Sequence, residues 1–207
     1  MTAWERLPMF PLGSPLVPSM LLPLQVFEPR YDAMIRAVLD RDRIFGVVMI
    51  ERGSEVGGGE VRTDVGCVAE IVGVEEQAPG QWGVLAVGTE RLKVDTWFAD
   101  DPFPVASVHV WPDEPDSSSQ GPDIEGLLDV HSRLMAVLVE MRSDLVPPKM
   151  ELGDDEAEIV YQLAVASPLG PLDRFRLLAT PGLAERARVL AVELGELEGV
   201  LRAELES

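Results

Sequence analysis

The chain has 207 residues, 46% of them apolar, and its 36 acidic residues against 17 basic ones give a formal charge of -19. That apolar content suffices for one large or two small cores and excludes a disordered chain, while two lysines, Lys93 and Lys149, exclude the clustered cations on which phosphate-backbone binding depends. No uninterrupted run of about 18 apolar residues could cross a membrane, the start MTAWERLPMF lacks signal-peptide order, and the single Cys67 leaves no internal disulfide, so a cytoplasmic protein without nucleic-acid or membrane partners is expected.

Two apolar runs open the chain, Leu7 to Leu12 and Leu16 to Leu24. Prolines at 8, 11, 15, 18 and 23 bar an interior helix from both, so they read as short strands. From Pro29 the pattern changes, because Tyr31, Met34, Ile35, Val38 and Leu39 fall at helical spacing and proline suits a first helical turn. Strands then follow at 45–51, 66–74, VLAVGT, RLKVDTW and 105–111, divided by the turns GSEVGGGE and QAPGQWG. Some six strands with one early helix fit a small, strongly curved barrel or pseudo-barrel, with glycines 46, 66, 73 and 88 marking bends or bulges.

PDEPDSSSQGPD, residues 112 to 123, replaces every apolar residue by proline, serine or acid and reads as a linker. The expected organisation is a barrel-like subdomain over 1–112, a linker over 113–122 and a helical subdomain over 123–207. In the last, Ile124, Leu127, Leu128, His131, Leu134, Met135, Leu138 and Met141 mark one helix face. Asp154 or Asp155 caps a second helix, Pro171 starts a third, and Thr180 with Pro181 signals the start of a fourth. There Leu183, Ala187, Leu190, Leu194, Leu197 and Leu201 form a heptad seam, which suits packing on the rest of the unit or a weak homodimer through 183–201.

The opening segment LPLQVFEPRYDAMI, at 22–35, resembles the Lon protease amino-terminal domain family, in particular its free-standing bacterial members. VGCVAEIVGVEE at 65–76 and GVLAVGTERLKV at 83–94 resemble that family's paired strands and its Gly-x-x-Arg segment, and the helical tail agrees more loosely. The resemblance implies an α+β fold, a PUA-like pseudo-barrel followed by a C-terminal helical bundle. It implies a module that recognises unfolded or client polypeptides without catalysing a reaction, serving a separate protease as adaptor. The chain then looks like the recognition part without the motor.

The chemistry of a Lon protease has no counterpart in these residues. No G-x-x-x-x-G-K-[ST] loop accompanies Lys93 or Lys149, and no Gly-x-Ser-x-Gly elbow presents a nucleophile. His109 and His131, the two histidines, have no second ligand at metal spacing, so no catalytic residue, metal or cofactor is expected. Acidic pairs at 75–76, 100–101 and 154–155 suit solvation and capping.

The candidate peptide-binding residues are Leu22, Phe27, Arg30, Tyr31, Trp82 and Arg91. Glu28 stands beside them as a structural partner for Arg30 or Arg91, a pair that would pin the helix to the sheet. Phe27, Tyr31 and Trp82 would border an apolar groove for side chains of a bound peptide. Two other classes compete: a small-molecule or enzymatic cleft between barrel and helices, which requires Arg30, Arg91 and His109 or His131 to face one pocket, and an oligomeric scaffold, which requires Leu190 and Leu194 at an interface.

Overall fold

Local chemistry sets where each element begins. The computed structural model describes residues 2–53, 59–115, 121–141 and 151–206. The first of its two units, Met1–Pro112, holds β1 (Ala3–Leu12), β2 (Leu21–Val26), α1 (Pro29–Leu39), β3 (Ile44–Arg52), β4 (Val61–Ala78), β5 (Gln81–Trp97) and β6 (Val105–Val110). The second, Asp113–Ser207, holds α2 (Ile124–Met141), α3 (Glu156–Ala166), α4 (Pro171–Ala179) and α5 (Leu183–Leu205). Pro29 and Pro171 sit in the first turns of α1 and α4, and the Asp155 carboxylate caps α3 by accepting from the Glu158 N–H at 3.0 Å.

The six strands form one mixed sheet in the order β2-β5-β4-β3-β1-β6, in which only β1 and β3 run parallel. Because β6 also pairs with the second half of β5, the ladder returns on itself through β5, β4, β3, β1 and β6. The circuit is uneven. β2 pairs with the first half of β5, on the edge that β6 uses further along, and pairs with no other strand among the described residues. Met34, Ile35 and Val38 of α1 are almost wholly buried in a cluster with Phe45, Val47 and Val84. A second cluster, with Leu7, Met9, Val68, Leu92 and Val108, fills the other part of the unit.

Several elements depart from the sequence reading. The second apolar run forms a strand only from Leu21, since Pro15 and Pro18 remove backbone donors and Ser19 takes a positive φ of 65°; Leu16 and Val17 are instead buried within the connection. VLAVGT and RLKVDTW are one continuous strand, β5, and Gly88 is no break in it. A Cβ on Gly88 would run into the Val17 carbonyl and come within 3.1 Å of the buried Cys67 sulfur, and one on Gly66 would meet the Val47 carbonyl. These two glycines permit close backbone approach, and Gly73 and Gly88 each flank a register shift between β4 and β5. Gly88→Ala is therefore expected to cost about 1–3 kcal/mol, read as a fall in urea midpoint at unchanged slope, and an unchanged midpoint would refute this account.

In the second unit the linker expected at 113–122 lies partly outside the described residues, at 116–120. Helix α5 starts at Leu183 with Gly182 as its N-cap, two residues beyond the expected signal, because the Thr180 hydroxyl donates backwards to the Arg176 carbonyl at 2.8 Å and ends α4. The heptad residues Ala187, Leu190 and Leu194 are buried within the helices' own cluster, together with Leu127, Leu134 and Leu163. No helix among the described residues is long and apolar enough to cross a membrane.

Candidate functional site

The corner where β2 turns into α1 collects the residues whose environment cannot be explained by packing alone. Val26 ends β2 and is buried, and the next side chain, Phe27, is 64% exposed. Glu28 occupies the N-cap without capping through its side chain; its carboxylate accepts instead from Arg30 Nε at 3.2 Å. Of the two partners considered for Glu28, the structure pairs it with Arg30. The Arg30 guanidinium lies 4.4 Å above the Tyr31 ring, and Tyr31 in turn stacks on Phe10 of β1 with centroids 4.1 Å apart.

Between β2 and the end of β1 lies a groove of about 200 Å³, lined by Phe10, Leu12, Pro23, Val26, Phe27 and Tyr31 among others. Tyr31 is 3% exposed, so it forms the floor rather than the rim. Its hydroxyl is buried and has no hydrogen-bond partner among the described residues. Burial is the main reason its pKa is pushed up to about 12; Arg30 opposes the shift, and Glu60 and Glu28 add to it. The group is therefore a neutral phenol at neutral pH, with an unused donor.

The other candidate residues lie elsewhere in the unit or play a different part. Leu22 is half-buried against the core. Trp82 is buried, does not line the groove, and donates its indole N–H to Asp32 at 2.8 Å, while Arg36 lies 5.0 Å over its ring and bridges Asp32 and Glu76. It ties α1 to the β4–β5 hairpin. Arg91 is 4% exposed, lies 4.2 Å over Trp111 and donates to the Pro112 carbonyl at 3.3 Å. His109 pairs with Asp95 at 2.9 Å, and burial lowers the pKa of His131 on α2. Arg30 thus stacks on Tyr31 and Arg91 on Trp111, and neither Arg91 nor a histidine lines the groove.

Of the groove residues, Phe10, Leu12, Pro23, Leu24, Gln25 and Val26 were absent from the sequence-based set. Phe10 and Leu12 belong to an apolar strand whose inner residues look alike in sequence. Cys67 is fully buried, and burial pushes its thiol pKa far up, which leaves it protonated and unreactive. No group of three or more His, Cys, Asp or Glu side chains suited to a metal ion occurs among the described residues.

Comparison with known proteins agrees with this architecture. Residues 6–194 match the model of the ATP-dependent protease La (LON) substrate-binding domain. A Lon protease 2 of Herpetosiphon aurantiacus is 28% identical over 203 residues, covering 96% of this chain and 25% of its own length, so the chain spans a quarter of that relative. The crystal structure of a Lon N-terminal domain protein from Xanthomonas campestris superposes with a TM-score of 0.66 at 26% identity, covering 91% of this chain and 98% of its own. The N-terminal domain of a Mycobacterium avium complex Lon protease shares the fold with a TM-score of 0.59 at 19% identity, over 93% of this chain and 98% of its own.

Proposed function

The chain belongs to the Lon substrate-binding domain family, and on that premise we propose that it is a non-catalytic module that binds exposed apolar segments of unfolded or client polypeptides. The groove between β1 and β2 is the proposed binding surface, with Phe27 as its anchor. The single observation that carries this is the exposure of Phe27, an aromatic 64% open to solvent beside a groove floored by Phe10 and Tyr31. Exposed aromatics of this kind are enriched at protein interfaces, where they fill apolar pockets. Delivery of the bound segment to a separate protease is the adaptor role that fits a family named for substrate binding.

Further readings attach to the same fold. The returning strand circuit supports a PUA-like pseudo-barrel over residues 1–112, and the shared core of α2 to α5 supports a helical bundle over 123–207. Self-association through 183–201 would have to use Val192 and Val200, which are 47% and 56% exposed, since Leu190 and Leu194 are buried inside.

The test is binding of a reduced and carboxymethylated, permanently unfolded protein, with its native form as control. Micromolar affinity for the unfolded form only is expected. Phe27→Ala is expected to weaken it at least tenfold with no loss of thermal stability, because the side chain is open in the free protein and desolvating an aromatic side chain is worth about 2 kcal/mol. Equal binding by both proteins would move the site away from Phe27, and no binding of unfolded protein would overturn the recognition role.

A further inference from the structure

The groove lies beside the open edge of β2. Along β5, the second half is joined to β1 through β6, which pairs with Ala3 to Pro8 of β1. The first half carries β2 on that same edge, but β2 is not paired onward to β1, although Phe10 and Leu12 lie across the groove from it. The ladder is complete at one end of the unit and interrupted at the other.

Hydrogen-bond alternation shows which backbone groups face the groove. The Gly88 N–H donates to the Met20 carbonyl, and β2 pairs onward in register from Leu21 with Val87 to Val26 with Trp82. In an antiparallel ladder every second residue bonds the partner strand, so Leu22, Leu24 and Val26 bond β5 while Leu21, Pro23 and Gln25 point away from it. The open edge of β2 therefore presents Pro23 at its middle, where no N–H is available, and is richer in acceptors than in donors.

We propose that this opening takes an extended, proline-free polypeptide segment as an added strand beside β2, its alternate apolar side chains lying on Phe10, Leu12 and Tyr31. The inference rests on the polypeptide-recognition reading above and specifies its mode. The occupant must bring N–H donors for the carbonyls of Leu21, Pro23 and Gln25, which every residue but proline does, and it accepts from the Leu21 and Gln25 N–H groups. A ligand read through side chains alone would leave these backbone groups unused. Main-chain bonding gives affinity with little dependence on sequence, and the side-chain pockets select alternate apolar positions. The charge of -19 favours a segment with lysine or arginine at its outward positions.

The experiment uses the full chain and a fluorescein-labelled decapeptide in which valine or leucine alternates with lysine, at 150 mM salt. Comparison peptides carry N-methyl groups on alternate amides of either edge, or the same composition with the apolar residues clustered. Amide hydrogen exchange of the protein is followed in parallel. Strand addition predicts at least tenfold weaker binding for one of the two N-methylated peptides. It also predicts new protection of the Leu21 and Gln25 amides, with Leu22 and Leu24 protected before and after. Gln25→Pro, which removes an edge donor without touching the bonds to β5, is expected to weaken binding about threefold to tenfold and leave the fold intact. Equal binding of the parent and both N-methylated peptides, with Leu21 and Gln25 exchanging as before, would overturn strand addition and leave recognition by side chains standing. Failure of every peptide to bind would overturn both this inference and the recognition role.

Discussion

Replacing Arg186 by methionine is expected to destabilise the helical unit by about 3–5 kcal/mol, the cost of breaking a buried ion pair by removing one partner. Arg186 is wholly buried on α5. Its guanidinium makes a two-pronged contact with Asp113, donates to the carbonyls of Leu177 at 3.2 Å and Thr180 at 3.0 Å, and lies 4.8 Å from the Tyr161 ring centroid. One side chain thus holds the end of α4, the start of α5 and the segment before α2. Arg186→Lys should lose most of the same stability, because a single ammonium cannot reproduce the planar fork that reaches a carboxylate and two carbonyls at once. Guanidinium denaturation followed by helical circular dichroism reads the effect, and a loss below 1 kcal/mol for both variants would refute it.

Tyr31→Ala should cost a comparable amount, about 3–5 kcal/mol, as truncation of a buried aromatic does. The ring is stacked on Phe10, shielded by Arg30, and shares its cluster with Phe45 and Met34. Tyr31→Phe should behave differently. The hydroxyl has no partner among the described residues, so removing it forfeits no hydrogen bond there and relieves a desolvation penalty, leaving stability unchanged or raised by roughly 1 kcal/mol. Thermal melts of the two variants separate ring from hydroxyl. A large loss in Tyr31→Phe would mean that the hydroxyl does have a partner in solution, and would also make it a poor choice for probing the groove.

What the sequence made legible follows the range of the physics involved. The starts of α1, α3 and α4 were readable because Pro29, Asp155 and Pro171 act within one turn of the backbone. The two strands expected inside β5 are one, with only a register shift between Gly88 and Arg91 at their junction, and Gly88 also answers to Val17, far away along the chain, a demand no local rule reveals. At the site, Phe27, Arg30 and Tyr31 could be grouped because they are neighbours in sequence. Trp82 and Arg91 could not be placed, since their partners Asp32 and Trp111 are set by strand register and helix docking. Arg186 gave no signal at all. An arginine beside the heptad residue Ala187 looks like any solvated helix charge until Asp113 is brought to it.

The strand circuit also fixes an order of events during folding. β4 and β5 meet through a tight turn at Pro79 and Gly80, so their hairpin forms from local contacts. The seam between β1 and β6 joins Ala3 to His109, near opposite ends of the unit, and must wait until nearly the whole unit exists. Closing so long a loop before its contacts are rewarded places the unit among slow folders, on a timescale of roughly milliseconds to seconds. On the ribosome, the Ala3–Pro8 part of β1 therefore waits without its partner until β6 has been made.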